Sequence, residues 1–147
     1  MNIQGVVRAF RPEDLHQAAE NWLAGHTSAH AFLPAEVWQE HLPDLRESLV
    51  QATVFVCERE GRLCGFIGLQ GSYIAGLFVD PKLQGQGIGS LLLSDCQKRF
   101  DCLSLDVFAE NPRAKRFYEW HGFSAGEPKP SGFPPHLEHR MEWQKNA

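Results

Sequence analysis

Tyrosine and methionine are scarce in this chain, with two of each among 147 residues, and several larger features are absent altogether. No apolar stretch approaches the roughly 18 residues that a membrane span needs, so no membrane association is expected. The first residues, Met1 to Gly5, lack a basic region followed by an apolar one; no export signal is expected, and the cytoplasm is the expected location. No Cys-x-x-Cys pair occurs. Cys57, Cys64, Cys96 and Cys102 therefore read as small buried hydrophobes and not as bridges or zinc ligands. Basic residues do not predominate, since 14 Lys and Arg face 18 Asp and Glu for a net charge of −4. That balance argues against general nucleic-acid binding and mildly favours a cationic partner. Internal repeats and low-complexity tails are also missing.

What is present is ordinary for a globular chain: 43% hydrophobic and 22% charged residues. This length fills one domain with a full core and is too short for two, so residues 1–147 are expected to form one domain. Alternation predicts a strand over Ile3 to Phe10. A helix follows from Arg11-Pro12-Glu13-Asp14, with Leu15, Ala18, Ala19, Trp22 and Leu23 on one face and Gly25 at its end. After a loop from His26 to Leu33, Pro34 suits a first helical position. The helix it opens carries Val37, Trp38, His41, Leu42 and Leu45 on one face, with a kink or break at Pro43.

Thr53 to Glu58 and Arg62 to Gln70 read as an antiparallel hairpin turning at Arg59-Glu60-Gly61. Tyr73 to Val79 is short and nearly all apolar, the mark of a central strand. It leads into a glycine-rich turn, a helix from about Gly87 to Phe100, and a strand over Leu103 to Phe108 that should run parallel to the strand before the turn. Asn111 and Pro112 supply a helix cap and first position, and Gly122 the stop. Two last strands, around Phe123 to Gly126 and Leu137 to Trp143, flank the proline-rich Pro128 to Pro135.

The turn Gln84-Gly85-Gln86-Gly87-Ile88-Gly89-Ser90 has the layout of a phosphate cradle. Closely spaced glycines let backbone N–H groups converge on one anion, and the helix start adds its positive dipole end. No lysine follows Gly89, so it is not the common P-loop, and the glycine spacing does not fit a dinucleotide-binding turn. Taken alone, it could also be a plain strand-to-helix turn.

Two strings decide between these readings by resemblance. Gln84, Gly87 and Gly89 fill Q/R-x-x-G-x-G/A, and Asn111, Ala114, Phe117, Tyr118, Glu119, Gly122 and Phe123 fill N-x-x-A-x-x-F-Y-E-x-x-G-F. In both, and in the order of elements from Thr53 to Phe123, the chain resembles the GCN5-related N-acetyltransferase (GNAT) family. The resemblance implies an α/β fold: a mixed, mostly antiparallel sheet of about six or seven strands, splayed between two central parallel strands and flanked by about four helices. It implies acetyl-CoA as co-substrate, with no metal, and transfer of the acetyl group to a primary amine by direct attack in a ternary complex. A non-catalytic acyl-CoA-binding regulatory module is the alternative. Among acceptors, protein lysine or a peptide amine is favoured over a small-molecule amine, and the enzyme is expected to be a monomer or homodimer.

By the same resemblance the backbone of Leu77, Phe78 and Val79 would hold the pantetheine arm, as an added strand would. Gln84, Gly85, Gln86, Gly87, Ile88, Gly89 and Ser90 would hold the pyrophosphate. Asn111 would touch the cofactor arm, although its cap role alone accounts for it. Tyr118 is the candidate general acid for the thiolate leaving group. No acidic residue lies between Ser72 and Val79, where many members keep a glutamate base, so the base is sought elsewhere. His139, in phase with Leu137, Met141 and Trp143, is the first candidate; Glu36, Glu40, His41 and a water chain are others. Acceptor contacts are expected from Trp22, His26, His30, Phe32, Trp38 and Phe133, an aromatic rim able to hold a cation. His26 and His30 have a metal-like spacing but no obvious third ligand.

Overall fold

The computed structural model describes residues 5–30 and 32–146. Its strands are β1 (Val6–Ala9), β2 (Thr53–Arg59), β3 (Arg62–Gln70), β4 (Tyr73–Val79), β5 (Cys102–Phe108), β6 (Ser124–Ala125), β7 (Lys129–Pro130) and β8 (Leu137–Gln144). Its α-helices are α1 (Leu15–Ala29), α2 (Ala35–Glu40), α3 (Leu42–Gln51), α4 (Ile88–Arg99) and α5 (Pro112–Trp120). One sheet runs in the order β1-β2-β3-β4-β5-β8-β6, with β7 also paired to β8. Every pairing is antiparallel except β4 with β5. That one is registered at Tyr73 and Ser104 alone among the described residues.

The sheet separates two apolar layers. On one face α4 and α5 cover Cys57, Ile67, Leu69, Leu103, Leu105, Val107 and Met141; on the other, α1 to α3 cover Val54, Val56, Leu63 and Phe66. Because side chains alternate across a strand, β5 sends Leu103, Leu105 and Val107 to the first layer and Ser104, Asp106 and Phe108 to the second. A bulge bends β4: Gly68 faces Gly76 while Leu69 faces Ile74, so Ala75 is the extra residue. The Phe78 ring folds back onto Gly76, where a Cβ would collide with it.

At the entry to α1, Asp14 is 4% exposed. It accepts from Arg8 Nη1 at 2.8 Å, Arg8 Nη2 at 3.0 Å and the Arg11 N–H at 2.8 Å. Arg8 also donates to Glu58 at 2.7 Å. This bonding holds the Asp14 carboxyl below the usual carboxylate range, the Arg8 bond contributing most, and ties the start of α1 to β1 and β2.

The mixed sheet, the hairpin, the central place of β4 and the two later helices agree with the sequence reading. Ile3 and Gln4, the start of the expected first strand, lie outside the described residues, as does Ala31 in the expected loop. Among the described residues the strand count is eight and the α-helix count five, above expectation, because β6 and β7 are two-residue pairings and the broken second helix counts twice. The break falls at His41, with Pro43 in the first turn of α3 and Pro34 capping α2.

Gly25 does not end α1, which continues to Ala29. A glycine is accommodated inside the helix because α1 rests on β4: a Cβ at position 25 would stand 3.2 Å from Phe78 Cδ1. His26 therefore belongs to the helix and not to a loop.

The closest backbone approach is at Gly65, where a Cβ would lie 2.5 Å from the Phe78 carbonyl oxygen and 3.2 Å from Val79 Cα. Gly65→Ala is expected to lower the unfolding free energy by about 2 kcal/mol. Gly132→Ala, with nothing within 4 Å, should leave the urea midpoint in place. Equal midpoints for the two variants would rule out this contact as the reason for glycine at 65.

Candidate active site

Beyond Tyr73 and Ser104, β4 and β5 part, and a cleft of about 820 Å³ occupies the gap. Leu77, Phe78 and Val79 line it from β4, and Gln84, Gly85, Gly87, Ile88, Gly89 and Ser90 from the turn and the start of α4. Gly87 caps α4 in a left-handed conformation, φ 85°, and no side chain caps the helix. Its first N–H groups are thus free of side-chain partners, the arrangement that suits an anion. A Cβ on Gly85 would meet nothing within 4 Å, so there is open space beside the turn.

Gln86 does not line the cleft; its Oε1 accepts from Arg59 Nη1 at 2.8 Å. The Ser90 hydroxyl is shared with His121 Nε2 at 3.0 Å.

Tyr118 reaches the cleft from α5. It is 7% exposed, packed edge-on to Phe117 and Phe123, and its hydroxyl has no hydrogen-bond partner among the described residues. Burial, with the neighbouring Cys96 second, raises its pKa, so the phenol keeps its proton at neutral pH. Burial also pushes the thiols of Cys57 and Cys96 up to about 11 and about 12. Neither is therefore a ready nucleophile.

The opposite wall is aromatic. His26, His30, Trp38, Phe78, Phe108 and Phe133 line it. His26 stacks on Trp38 with centroids 3.9 Å apart, and Phe108 meets His30 edge-on at 5.0 Å. Of the residues expected here, Phe32 stands behind Phe108 at 5.3 Å, outside the lining. Trp22 is core, and borders instead a smaller cavity of about 90 Å³ under α1 and α3.

A hydrogen-bonded chain crosses this wall. Asn111 Oδ1 accepts from the Ala114 N–H at 3.2 Å and so caps α5, which turns its amide N–H₂ toward His30 Nε2 at 3.1 Å. His30 Nε2 is then an acceptor, its proton sits on Nδ1, and that N–H donates to His26 Nδ1 at 2.8 Å. His26 is left with its proton on Nε2. Burial lowers both rings, His26 to about 3, aided by the charges of His30 and His41, and His30 to about 4. The wall is therefore neutral at physiological pH.

His139, the sequence candidate for the base, does not reach the cleft. Its Nδ1 donates to the Gly126 carbonyl at 2.8 Å. The phase with Met141 is real and places His139 opposite Val107, on the α5 side of the sheet, but its ring is held by Gly126 outside the lining. Glu138, paired with Phe108 across β8 and β5, lines the cleft instead.

Asp106 lines it too and is fully engaged. It accepts from the Tyr73 hydroxyl at 2.8 Å and from Arg140 at 3.0 and 3.2 Å, and Lys129 stands 3.5 Å away. Burial alone would raise its pKa; the bonds from Arg140 and Tyr73 and the nearby cations outweigh that and hold it below the usual range. Glu138 shifts the other way, raised by burial and by the Asp106 charge. Alternation along Leu137–Gln144 was the available signal for Glu138. No local pattern indicates that Asp106 and Tyr73 would meet.

Comparisons with known proteins agree with this geometry. The model of the acetyltransferase (GNAT) domain matches residues 51–125. The chain is 34% identical over 120 residues to the peptidyl-lysine N-acetyltransferase YiaC of Escherichia coli K12, covering 80% of this chain and 82% of that one. It is 31% identical over 119 residues to the peptidyl-lysine N-acetyltransferase YjaB of the same organism, covering 80% of each. Among solved structures, the apo form of E. coli YjaB superposes with a TM-score of 0.82 at 26% identity, over 94% of this chain and 96% of that one. The PaiA N-acetyltransferase of Thermoplasma acidophilum, solved with coenzyme A, shares the fold with a TM-score of 0.81 at 18% identity, over 95% and 98% of the two chains. The chain belongs to the GNAT acetyltransferase family and is an acetyl-CoA-dependent N-acetyltransferase.

The bonding direction across the wall is measurable. Long-range ¹H–¹⁵N spectra should show His30 protonated at Nδ1 and His26 at Nε2, with the rings staying neutral down to about 4 and about 3 respectively. The unfolded rings titrate near 6.5. As pH falls below that value the unfolded state binds more protons, so stability declines, and the loss is complete only below the folded values. Ordinary titration near 6.5 at both positions would contradict the buried chain.

Proposed function

We propose that the chain is a single-domain enzyme that transfers the acetyl group of acetyl-CoA to the side-chain amine of lysine in a protein or peptide, by direct attack in a ternary complex. The observation that supports it best is the parted pair β4 and β5. The gap joins an uncapped helix start and glycine turn to an aromatic wall, with an unpaired phenol between them. The similarity to two peptidyl-lysine N-acetyltransferases supports the acceptor class.

In this reading the open edge of β4 at Leu77, Phe78 and Val79 bonds the pantetheine amides as a neighbouring strand would, and an N–H on that edge polarises the thioester carbonyl. The backbone N–H groups from Gln84 to Gly89 and the start of α4 hold the pyrophosphate, a role that needs convergent donors and no metal. Bringing amine and thioester together supplies the entropic advantage. As the C–N bond forms and the C–S bond breaks, Tyr118 gives its proton to sulfur. A phenol kept protonated by burial is suited to donate only as the thiolate charge develops. Asn111 acts through His30, orienting the acceptor wall.

Tyr118→Phe is expected to cut kcat by about 10², with acetyl-CoA affinity unchanged, measured by CoA release on lysine peptides and by calorimetric titration. Unchanged turnover would end the acid role. Binding of acetyl-CoA without CoA release on any amine or peptide would favour a non-catalytic acyl-CoA-binding module.

A further inference from the structure

Glu138 is the one cleft-lining carboxylate without a hydrogen-bond or ion-pair partner among the described residues. Asp106 has its oxygens occupied by Tyr73 and Arg140, and Glu110 is held by His136 outside the lining. Directly opposed to Phe108 in the β5–β8 ladder, Glu138 lies beside the aromatic wall, since side chains of facing residues are immediate neighbours. That wall contains a second unsatisfied group. Trp38 is 3% exposed, lines the same cleft, and its indole N–H has no partner among the described residues. An unpaired carboxylate, aromatic faces and two neutral histidines together favour a cation flanked by hydrogen-bond acceptors.

Resting on the acetyltransferase reading above, we infer that Glu138 receives the acceptor as an ammonium ion and takes its proton before attack. The balance is complete. The ammonium gives one proton to the Glu138 carboxylate, leaving a neutral amine whose lone pair forms the C–N bond. The C–S bonding pair leaves on sulfur, which is protonated through Tyr118. The nitrogen's second proton restores the phenol, and Glu138 returns its proton to solvent.

The groups facing Glu138 are consistent with this role. Asp106 on β5 raises its proton affinity, while Lys129 on β7 and Arg140 on β8 lower it without bonding to it. Tyr73 on β4 is bonded to Asp106, and His26 on α1 and His30 at its C-terminal cap are uncharged across the cleft.

The test compares wild type with E138Q and E138A, using acetyl-CoA and a blocked lysine peptide from pH 6 to pH 10. For E138Q at pH 7, kcat/KM for the peptide should fall about 10²-fold, with KM for acetyl-CoA within about twofold. The deficit should narrow as pH approaches the lysine value near 10.4, where the amine is neutral without help. E138A should behave alike, which separates loss of the base from altered packing. A deficit below about threefold, or one that does not change with pH, would overturn the assignment and leave the transferase reading standing. Wild type that released no CoA with any amine would instead end the transferase reading. The carboxylate role is then decided by carbon NMR of labelled glutamate with lysine amide as probe: a shift of the Glu138 signal retains the cation site, and no shift overturns it.

Discussion

A parallel strand pair joined at Tyr73 and Ser104 and not registered beyond them leaves main-chain groups of β4 facing a gap at the centre of the sheet. Backbone N–H and C=O groups are costly to bury unpaired, so such a gap persists only where a ligand or water answers them. The surrounding ladders supply the rigidity that this pair lacks. β3 with β4 and β5 with β8 are registered along their lengths, so each half of the sheet is stiff and the opening has fixed walls. The bulge at Ala75 and the ring of Phe78 on Gly76 set the angle at which β4 departs.

Charge is arranged along this opening by two different means. At the end of β4, fixed dipoles of a turn and a helix start offer positive potential without a titratable group. Toward β8, Glu138 stands unpaired beside neutral rings, while Asp106 is answered by Arg140 and Lys129. Asp106 and Glu138 share that region, yet their proton affinities move apart because only one has partners. Environments that separate two similar groups in this way are how one site supports distinct roles.

Much of this was legible in the chain. The hairpin, β4, α4, β5 and α5 followed from alternation, glycine position and the Asn111-Pro112 cap, because each is specified by local pattern. Their parting was not, since no local rule distinguishes a paired parallel strand from a splayed one; the family resemblance carried that expectation. Gly25 misled because its breaker character was outweighed by the close approach of α1 to Phe78, and with it His26 was misplaced into a loop. Periodicity gave the face of His139 correctly, but its bond to the Gly126 carbonyl, which sets the ring outside the cleft lining, depends on a contact distant in sequence. Lys129–Pro130 was hidden by proline, which suits an edge pairing of two residues and little more.

Asn111 illustrates how tightly the two sides of the opening are joined. Its oxygen closes the first turn of α5 and its nitrogen orients the histidine that caps α1, so one codon governs both the stability of a helix and the polarity of a wall far away in sequence. Aspartate would keep the cap and reverse the donor, and serine or threonine would keep the cap and lose the reach. Neither half can drift while the other is preserved. The residue thus serves the first turn of a helix and the hydrogen bonding of the cleft wall together.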